Sequence, residues 1–309
     1  MEIDTDVFII GGGAAGLTAA IYAARAGLDT VLSETSAVGG QLSSINKIEN
    51  YPSYSDVSGI ELSDNMKQQA IKSGAQINEF SETIKVNLTD NKKTVTTSEA
   101  VYNAKSVIIA SGSSVIPLNI KGEEKMRGNG VHYCATCDGT MYKNKTVAVI
   151  GGGNSAVSAA IYLSSIAAKV VMIRRKDSFH CENVLIDRLK SVENIKILYN
   201  WDLTGLIGDN RVIAAEIKNT RSNTSSIIPI DGVFAYIGYK PNTGIFTDYI
   251  SVDENGYIIA DDQLKTNVFG VYAAGDVRTK EYRQITTAVC DGTIAALNAE
   301  KTVNGKIKL

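Results

Sequence analysis

The sequence predicts an α/β protein made of two parallel-sheet units, with the second unit inserted into the first. Two observations predict this class: a short apolar strand, a glycine run and an alanine-rich helix follow one another near the N-terminus, and the same order returns in the middle of the chain. The length of 309 residues also suits two domains. We predict a first domain of residues 1–117 and 241–309, and an inserted domain of residues 118–240.

The first glycine run follows the apolar stretch Val7–Ile10, which has the length of a buried parallel strand. Gly11, Gly13 and Gly16 have the spacing of a dinucleotide-binding fingerprint, in which the glycines permit a tight turn, a close approach to pyrophosphate and close helix packing. The next predicted strand ends at Glu34, where such folds keep an acid for a ribose 2′-hydroxyl. Strand, helix and acid in register predict a Rossmann-like dinucleotide-binding domain.

The second glycine run repeats this layout after the apolar stretch Val147–Ile150. At the position equivalent to the first unit's acid stand Arg174, Arg175 and Lys176. Cations attract the 2′-phosphate that an acid would repel, so this second Rossmann-like site favours NADP over NAD. The alternative is a solvated basic turn, since runs of charge are commonly no more than that.

Two cysteines, Cys134 and Cys137, form a Cys-x-x-Cys pair directly before the second unit. Near strand–turn–helix patterns such a pair predicts a redox dithiol, and Asp138 directly after it can protonate a departing thiolate. A zinc site would need two further ligands, and none of the candidates forms a second close pair. Those candidates are Cys181, Cys290, His132 and His180. We therefore expect no metal site, and no catalytic role for the two remaining cysteines.

Composition and charge exclude several classes of function. The formal net charge is −2 and no basic stripe is present, so we expect no nucleic-acid partner. Residues 147–168 are uncharged but contain a glycine run and several serines, so we expect no membrane span. The acidic N-terminus does not predict a signal peptide, and a close cysteine pair suits a reducing compartment, so we expect a cytoplasmic protein.

Two further segments have recognisable patterns. Residues 77–103 alternate β-branched and polar side chains, which predicts a small antiparallel sheet. Residues 284–300 predict a helix that follows a strand ending at Gly275-Asp276. A helix that begins near Gln284 would direct the positive end of its dipole at a group bound beside that N-terminus.

The two fingerprints, the stretch Cys134-Ala135-Thr136-Cys137-Asp138 and the late stretch Ala273–Val277 with Tyr282-Arg283-Gln284 resemble low-molecular-weight thioredoxin reductases over nearly the whole chain. The resemblance implies a two-dinucleotide-binding-domain flavoprotein, with FAD in the first domain and NADPH in the inserted one. Cys134 would attack the disulfide of thioredoxin, Cys137 would lie against the flavin, and Asp138 would handle the proton. The resemblance also implies a homodimer whose domains rotate during the reaction.

The resemblance assigns two sets of residues to cofactors. The FAD set is Gly11, Gly13, Ala14, Ala15, Gly16, Glu34, Gly40, Gln41, Leu42, Asn50, Ser111, Gly112, Gly275, Asp276, Arg283, Gln284 and Ile285. The NADPH set is Gly151, Gly153, Asn154, Ser155, Ala156, Arg174, Arg175 and Lys176.

One departure from the family concerns the electron donor. The family's NADPH subsite has a His-Arg-Arg triplet and then a further arginine, and this chain has His180 at that last place. A neutral imidazole attracts a phosphate weakly at pH 7. NADPH stays the expected donor, with reduced ferredoxin as the alternative. A dithiol oxidase that uses oxygen and a redox-sensing nucleotide-binding protein are further alternatives, although sensing needs no acid after the second cysteine.

Overall fold

Two units make up the described part of the computed structural model, which comprises residues 2–45, 48, 50–89 and 92–306, with the side chains of Ser44 and Cys137 outside the description. The first unit contains Met1–Ser114 and Lys240–Leu309, and the second contains Val115–Tyr239. The second unit is thus inserted into the first, as the sequence predicted for the fold class.

Among its described residues, the N-terminal part of the first unit contains seven strands and two α-helices. In chain order they are β1 (Glu2–Ile10), α1 (Ala14–Arg25), β2 (Thr30–Ser33), α2 (Gly59–Lys72), β3 (Gln76–Asn78), β4 (Thr83–Leu88), β5 (Lys93–Thr97), β6 (Val101–Ile109) and β7 (Ser113–Val115). A short 3-10 helix covers Gly40–Ser44.

The second unit supplies the next elements of the chain. They are α3 (Glu123–Met126), β8 (Val131–His132), α4 (Ala135–Asp138), β9 (Thr146–Gly151), α5 (Asn154–Ser164), β10 (Lys169–Arg174), α6 (Asn183–Lys190), β11 (Ile195–Tyr199), β12 (Trp201–Ile207), β13 (Ala214–Asn219), β14 (Ser225–Pro229) and β15 (Gly232–Tyr236). Strand β16 (Tyr239–Pro241) begins at the last residue of this unit and continues into the first. The chain then returns to the first unit for β17 (Val271–Ala273), a 3-10 turn at Gly275–Val277 and α7 (Ile285–Val303).

The sheet of the first unit has a parallel half and an antiparallel half. Strands β3, β2, β1, β6 and β17 pair in parallel, and β4 and β5 continue the sheet antiparallel from β6. The antiparallel strands expected within residues 77–103 therefore exist but belong to this larger sheet. Strand β6 is long enough for both arrangements, because its first half pairs with β5 and its last three residues pair with β17.

The alanine-rich composition of α1 lets it pack closely in the first unit. Ten of its residues are buried, and it lies against α7. Gly292 of α7 has its α-carbon so close that a Cβ would stand 2.2 Å from the Ala15 carbonyl oxygen. These two helices and the parallel strands form the core of the unit, next to the turns that contain Gly11 and Gly275.

The second unit repeats the parallel arrangement with its own sheet. Its strands pair in the order β11, β10, β9, β15 and β8, all parallel, with α5 following β9. A three-stranded antiparallel sheet of β12, β13 and β14 accompanies it. The predicted α/β class with two Rossmann-like units is confirmed. Within the described residues, no helix combines the length and the apolar character needed to cross a membrane.

Candidate active site

The first glycine turn lies where β1 ends and α1 begins. Gly11 has φ +105°, and a Cβ there would stand 2.4 Å from the Ala110 carbonyl oxygen. A Cβ at Gly16 would stand 1.9 Å from the Gly11 carbonyl oxygen, so this glycine lets the helix approach the turn. A Cβ at Gly13 would meet no atom within 4 Å. The protein itself therefore requires glycine at positions 11 and 16, whereas the space at Gly13 is open to a ligand.

The acid predicted for a ribose lies against the same turn. The Glu34 carboxylate accepts hydrogen bonds from the backbone N–H of Gly12 at 2.7 Å and from that of Ser36 at 3.2 Å. Its position directly after β2 brings it to the glycine turn because parallel strands end at the same edge of the sheet. The structure thus places Glu34 beside the loop, as the fingerprint requires.

A second turn of the first unit contains an unpartnered carboxylate oxygen. Gly275 has φ +81° and a Cβ there would stand 2.9 Å from the Ala15 side chain. The next residue, Asp276, has a buried Oδ1 atom without a hydrogen-bond partner among the described residues. Burial raises the pKa of Asp276, although Lys280 and Arg283 oppose that rise. A buried acceptor of this kind fits a hydroxyl-bearing ligand such as the ribityl chain of FAD.

Asp291, for which no role was predicted from the sequence, holds this turn from helix α7. It is 4% exposed, and it accepts hydrogen bonds from the Gly275 N–H at 3.0 Å, from Arg278 at 2.9 Å for both carboxylate oxygens, and from Lys280 at 2.9 Å. Burial raises the pKa of Asp291, but the hydrogen bonds from the two cations outweigh it, so this pKa lies below its usual value. The signal in the sequence was that Asp291 is the one charged residue between Ile285 and Ala299.

The remaining residues predicted for FAD also lie in the first unit. The Gln41 side chain donates to the Ser113 hydroxyl at 3.0 Å, and Ser111 donates to the Asn242 carbonyl at 2.8 Å. Asn50 lies 3.5 Å from the Gln284 side chain, at the outer limit of a hydrogen bond. The other members are backbone turns or buried side chains: Gly40 and Gly112 have positive φ, Leu42 is 4% exposed, and Ala14 and Ala15 begin α1.

Helix α7 begins where the sequence predicted. Gln284 is its N-cap, with its backbone N–H bound to the Thr287 hydroxyl at 3.1 Å, and Ile285 is the first helical residue. Just before it, the Arg283 guanidinium lies 4.1 Å from the centre of the Tyr257 ring, and its Nε is buried without a described partner. The unpartnered groups of Asp276 and Arg283 thus both belong to the segment that leads into α7.

The second glycine run lines a pocket of about 500 Å³ in the second unit. A Cβ at Gly151 would stand 2.2 Å from the Tyr236 carbonyl oxygen, and this glycine has φ +137°. A Cβ at Gly153 would stand 3.7 Å from the His180 carbonyl oxygen, an ordinary van der Waals contact, so there is room for a side chain atom at this position. All the residues predicted for NADPH line this pocket: Gly151, Gly153, Asn154, Ser155, Ala156, Arg174, Arg175 and Lys176.

The basic cluster of this pocket is divided in its contacts. Arg174 lies over Gly152, donates from Nε to the Ser178 carbonyl at 2.6 Å and stacks on Phe179 with 5.6 Å to the ring centre. Burial lowers the pKa of Arg174, and its Nη2 is buried without a described partner. Arg175 is exposed, and its Nη1 lies 3.9 Å from Oδ2 of Asp202. An exposed ion pair at this distance contributes little to stability. Arg174 and Arg175 therefore differ in role: Arg174 supports its own loop, and Arg175 is accessible to a ligand.

The redox pair lies at a single turn of helix, α4, with Cys134 directly before the turn and Cys137 within it. The Cys134 sulfur is engaged in a disulfide and lies 3.3 Å from the Thr136 hydroxyl, while the Cys137 side chain falls outside the described residues. The Ala135 N–H donates to the Tyr236 hydroxyl at 2.7 Å. Asp138 is one-third exposed, and its Oδ2 lies 3.0 Å from Nδ1 of His132. The predicted acid and the first predicted cysteine are thus brought to the two ends of one turn.

Two of the candidates considered for a zinc site are the cysteines outside the redox pair. Cys181 is half-buried, Cys290 is exposed, and both are free thiols. Burial raises the pKa of Cys181, against a smaller opposing effect of Arg174. In the part of the chain that the structure describes, no three His, Cys, Asp or Glu side chains are grouped to hold a metal ion.

Comparison with known proteins gives the same assignment from whole sequences and structures. The family model for pyridine nucleotide-disulphide oxidoreductases matches residues 5–292. Thioredoxin reductase of Listeria innocua is 42% identical over 303 residues, which cover 96% of this chain and 93% of that protein. The crystal structure of Lactococcus lactis thioredoxin reductase in its FR conformation has a TM-score of 0.92 at 37% identity, covering 97% of this chain and 99% of that one.

A further solved structure is similar at lower identity. It is a ferredoxin-flavin thioredoxin reductase from Clostridium acetobutylicum, with a TM-score of 0.54 at 30% identity, covering 99% of this chain and 100% of that one. The matched length, the two glycine turns and the disulfide-bonded Cys134 lead to one conclusion. The chain belongs to the pyridine nucleotide-disulphide oxidoreductases and, within them, to the flavoprotein thioredoxin reductases of the low-molecular-weight bacterial type.

Proposed function

We propose that this protein reduces the disulfide of thioredoxin, passing two electrons from NADPH through FAD and the Cys134/Cys137 dithiol. The observation that supports it most directly is the disulfide-bonded Cys134 one helical turn from the carboxylate of Asp138. The unit of residues 1–114 and 240–309 would bind FAD, and residues 115–239 would bind NADPH. We further propose a cytoplasmic homodimer, as in the family that the chain resembles.

The residues of the first unit fit FAD. The open space at Gly13 would admit the pyrophosphate to the N-terminus of α1, and Glu34 would accept from a ribose hydroxyl. The unpartnered Oδ1 of Asp276 would accept from the ribityl chain, with Asp291 fixing the turn that positions it. When bound, FAD supplies the conversion of a two-electron hydride into dithiol electrons, which no side chain performs alone.

The dithiol acts by thiol–disulfide exchange in the proposed mechanism. The Cys134 thiolate attacks one sulfur of the partner disulfide, forming a mixed disulfide and releasing the other partner sulfur as a thiolate. Cys137 then attacks Cys134, which closes the enzyme disulfide and releases the second partner thiolate. Asp138 delivers its proton to a departing thiolate, leaving a carboxylate and a neutral thiol. The other partner thiolate takes the proton that Cys137 loses when it attacks, so two electrons and two protons pass to the partner in each turnover.

NADPH as hydride source is supported by the pocket of the second unit. Its volume, the room beside Gly153 and the exposed Arg175 are what a 2′-phosphorylated dinucleotide needs. Loss of the family's last arginine to His180 removes one charge-assisted contact, worth about 1.5–3 kcal/mol. We therefore propose that NADPH binds, with an affinity lower by about one or two powers of ten than a complete cluster would give.

Reduced ferredoxin is the second candidate donor, and a specific observation favours it. Arg174 is committed to its own loop through Ser178 and Phe179, so the phosphate subsite has fewer accessible cations than the sequence suggested. In that case the second glycine run would shape the unit without binding a nucleotide.

An anaerobic titration of the pure flavoprotein decides between the two donors. NADPH should bleach the flavin absorbance faster than NADH does, and subsequent addition of oxidised thioredoxin should restore the colour. If neither nucleotide bleaches the flavin while reduced ferredoxin does, the second candidate is correct. If the flavin is bleached but thioredoxin does not restore the absorbance, the proposed partner is wrong.

A further inference from the structure

A buried histidine contacts the carboxylate that the proposed function makes the proton donor. His132 is the last residue of β8 and is 2% exposed. Its Nδ1 lies 3.0 Å from Asp138 Oδ2, and its Nε2 lies 2.7 Å from the hydroxyl of Tyr142. Both ring nitrogens therefore have a polar partner, and the imidazole bridges a carboxylate and a phenol.

Aromatic rings enclose this imidazole, and its two polar partners set its orientation. The His132 ring stacks on Phe234 with centres 5.2 Å apart and planes at 27°, and it meets Tyr142 edge-on at 5.4 Å. Phe234 and Tyr142 also contact each other edge-on at 5.4 Å. The His132 side chain is 1% exposed and that of Asp138 is 34% exposed. The histidine is thus a rigid internal anchor for an acid that itself reaches solvent.

The protonation state of the bridge follows from its surroundings. Burial lowers the pKa of His132 more than the neighbouring Asp138 raises it, so the imidazole is neutral at pH 7. Burial raises the pKa of Tyr142 to about 12, so its hydroxyl keeps its proton. A neutral imidazole has one N–H, and facing a carboxylate this must lie on Nδ1. Tyr142 then donates to Nε2, and every polar atom of the bridge is satisfied.

The other titratable groups near the bridge belong to the elements packed around it. They are Asp231 and Lys145 beside Tyr142, and Tyr236, whose pKa is raised by burial and to a smaller extent by the charge of Asp138. Neither Asp231 nor Lys145 makes a described hydrogen bond to the imidazole. The direct polar partners of His132 among the described residues are therefore Asp138 and Tyr142 alone.

We infer that His132 is a positioning residue for Asp138, holding Oδ2 through Nδ1–H in both protonation states of the acid. This inference rests on the proposed disulfide-reductase function. Because Oδ2 stays an acceptor for Nδ1–H whether or not the acid is protonated, the proton that Asp138 gives to a thiolate is carried on Oδ1. The side chain consequently does not rotate away when it changes charge, and the acid is in place for each exchange step.

The pH dependence of thioredoxin reduction tests this role. His132→Ala removes the Nδ1–H that donates to the carboxylate. The loss of this hydrogen bond favours the protonated form of Asp138, so the fall in the reduction rate with rising pH moves to higher pH. We expect the rate–pH profile of the variant to move in that direction and its turnover to fall by about tenfold. His132→Asn keeps an N–H within reach of the same oxygen and should recover most of both effects.

A control variant separates positioning from packing. Phe234→Leu removes the stacked ring without removing a polar group, so it should lower the melting temperature and leave the pH profile in place. If His132→Ala gives the wild-type profile, or if Phe234→Leu shifts the profile equally, His132 is only a core residue and the inference is wrong. A wild-type protein that does not reduce thioredoxin contradicts the proposed function instead.

Nitrogen NMR of the imidazole rings gives a test that needs neither turnover nor a variant that folds. The chain has two histidines, so the spectrum is simple to assign. The wild-type holoprotein should show one ring as the Nδ1–H tautomer, and that ring should stay neutral at pH values where an exposed imidazole is protonated. A ring at His132 in the Nε2–H tautomer, or one that titrates as a free imidazole does, overturns the assignment.

Discussion

Gly13→Ala separates the space that we assign to the FAD pyrophosphate from the fold around it. A Cβ at this position has no neighbour within 4 Å, and the backbone has φ −77° and ψ −173°, which alanine adopts without strain. The methyl group therefore does not disturb the apoprotein. By restricting the unfolded chain it stabilises the fold by about 0.4–1 kcal/mol. In the holoprotein the same methyl occupies the path by which the loop amides approach a diphosphate.

The magnitude follows from the contacts that would be lost. A hydrogen bond to a charged group contributes about 1.5–3 kcal/mol, and 1.4 kcal/mol corresponds to a tenfold change in affinity. Displacing the diphosphate from one loop amide should therefore raise the Kd for FAD by about 10- to 100-fold. The melting temperature of the apoprotein should stay unchanged or rise slightly.

The assay is a fluorescence titration of FAD into apoprotein, with thermal unfolding measured in parallel. Gly244→Ala is the matched control, since a Cβ there also meets nothing within 4 Å and its φ is not left-handed. Gly153→Ala makes the same change in the second unit and should weaken NADPH without affecting FAD. A Gly13→Ala protein that binds FAD like the wild type, or a Gly244→Ala protein that loses it equally, would refute the reasoning.

Three further predictions concern the dithiol, the donor and stability. Cys134→Ser and Cys137→Ser should each abolish thioredoxin reduction while an artificial donor still reduces the flavin, because the second thiol must resolve the mixed disulfide. Asp138→Asn should slow turnover by about 10²-fold. A wild-type rate of thioredoxin reduction in any of these three variants would place the chemistry elsewhere. His180→Arg should lower the Kd for NADPH by about tenfold in a binding titration and leave that for NADH unchanged; equal tightening of both would exclude a 2′-phosphate contact. Asp291→Ala should cost about 3–5 kcal/mol in unfolding free energy, since it leaves two largely buried cations without their anion. Because hydrogen bonds hold the pKa of Asp291 below its usual 3.8, this stabilisation is present at neutral pH and is lost as the pH falls through the folded-state value, so an unchanged acid-unfolding curve in the variant would contradict it.

Patterns that are local in the chain could be predicted from the sequence. A strand, three spaced glycines and a helix are consecutive residues, and the backbone turn that they need is determined by steric rules that act over a few residues. Glu34 could be placed because parallel strands end at one edge of a sheet. The N-cap at Gln284 could be placed for a similar reason, since an apolar helical pattern begins directly after it.

The functions of individual charges were harder to predict. In the sequence, Arg174, Arg175 and Lys176 form one basic cluster. In the fold, the Arg174 side chain lies against Gly152 and Ser178, whereas Arg175 is exposed to solvent. Side chains of consecutive residues diverge after a strand, so adjacency in sequence does not mean that their charges act together.

The sequence by itself determined the two nucleotide-binding turns and the redox pair, because each depends on spacing between near neighbours in the chain. It also determined the insertion, because the second strand–glycine–helix pattern lies between the N-terminal pattern and the late strand that ends at Gly275-Asp276. Tertiary structure alone decided that Asp291 on α7 fixes the Gly275 turn, and that His132 on β8 anchors Asp138. Both contacts depend on the packing of separate elements, so a polar residue's burial and partner are properties of the assembled core. A histidine that the sequence offered only as a possible metal ligand thereby becomes the partner of the proposed acid.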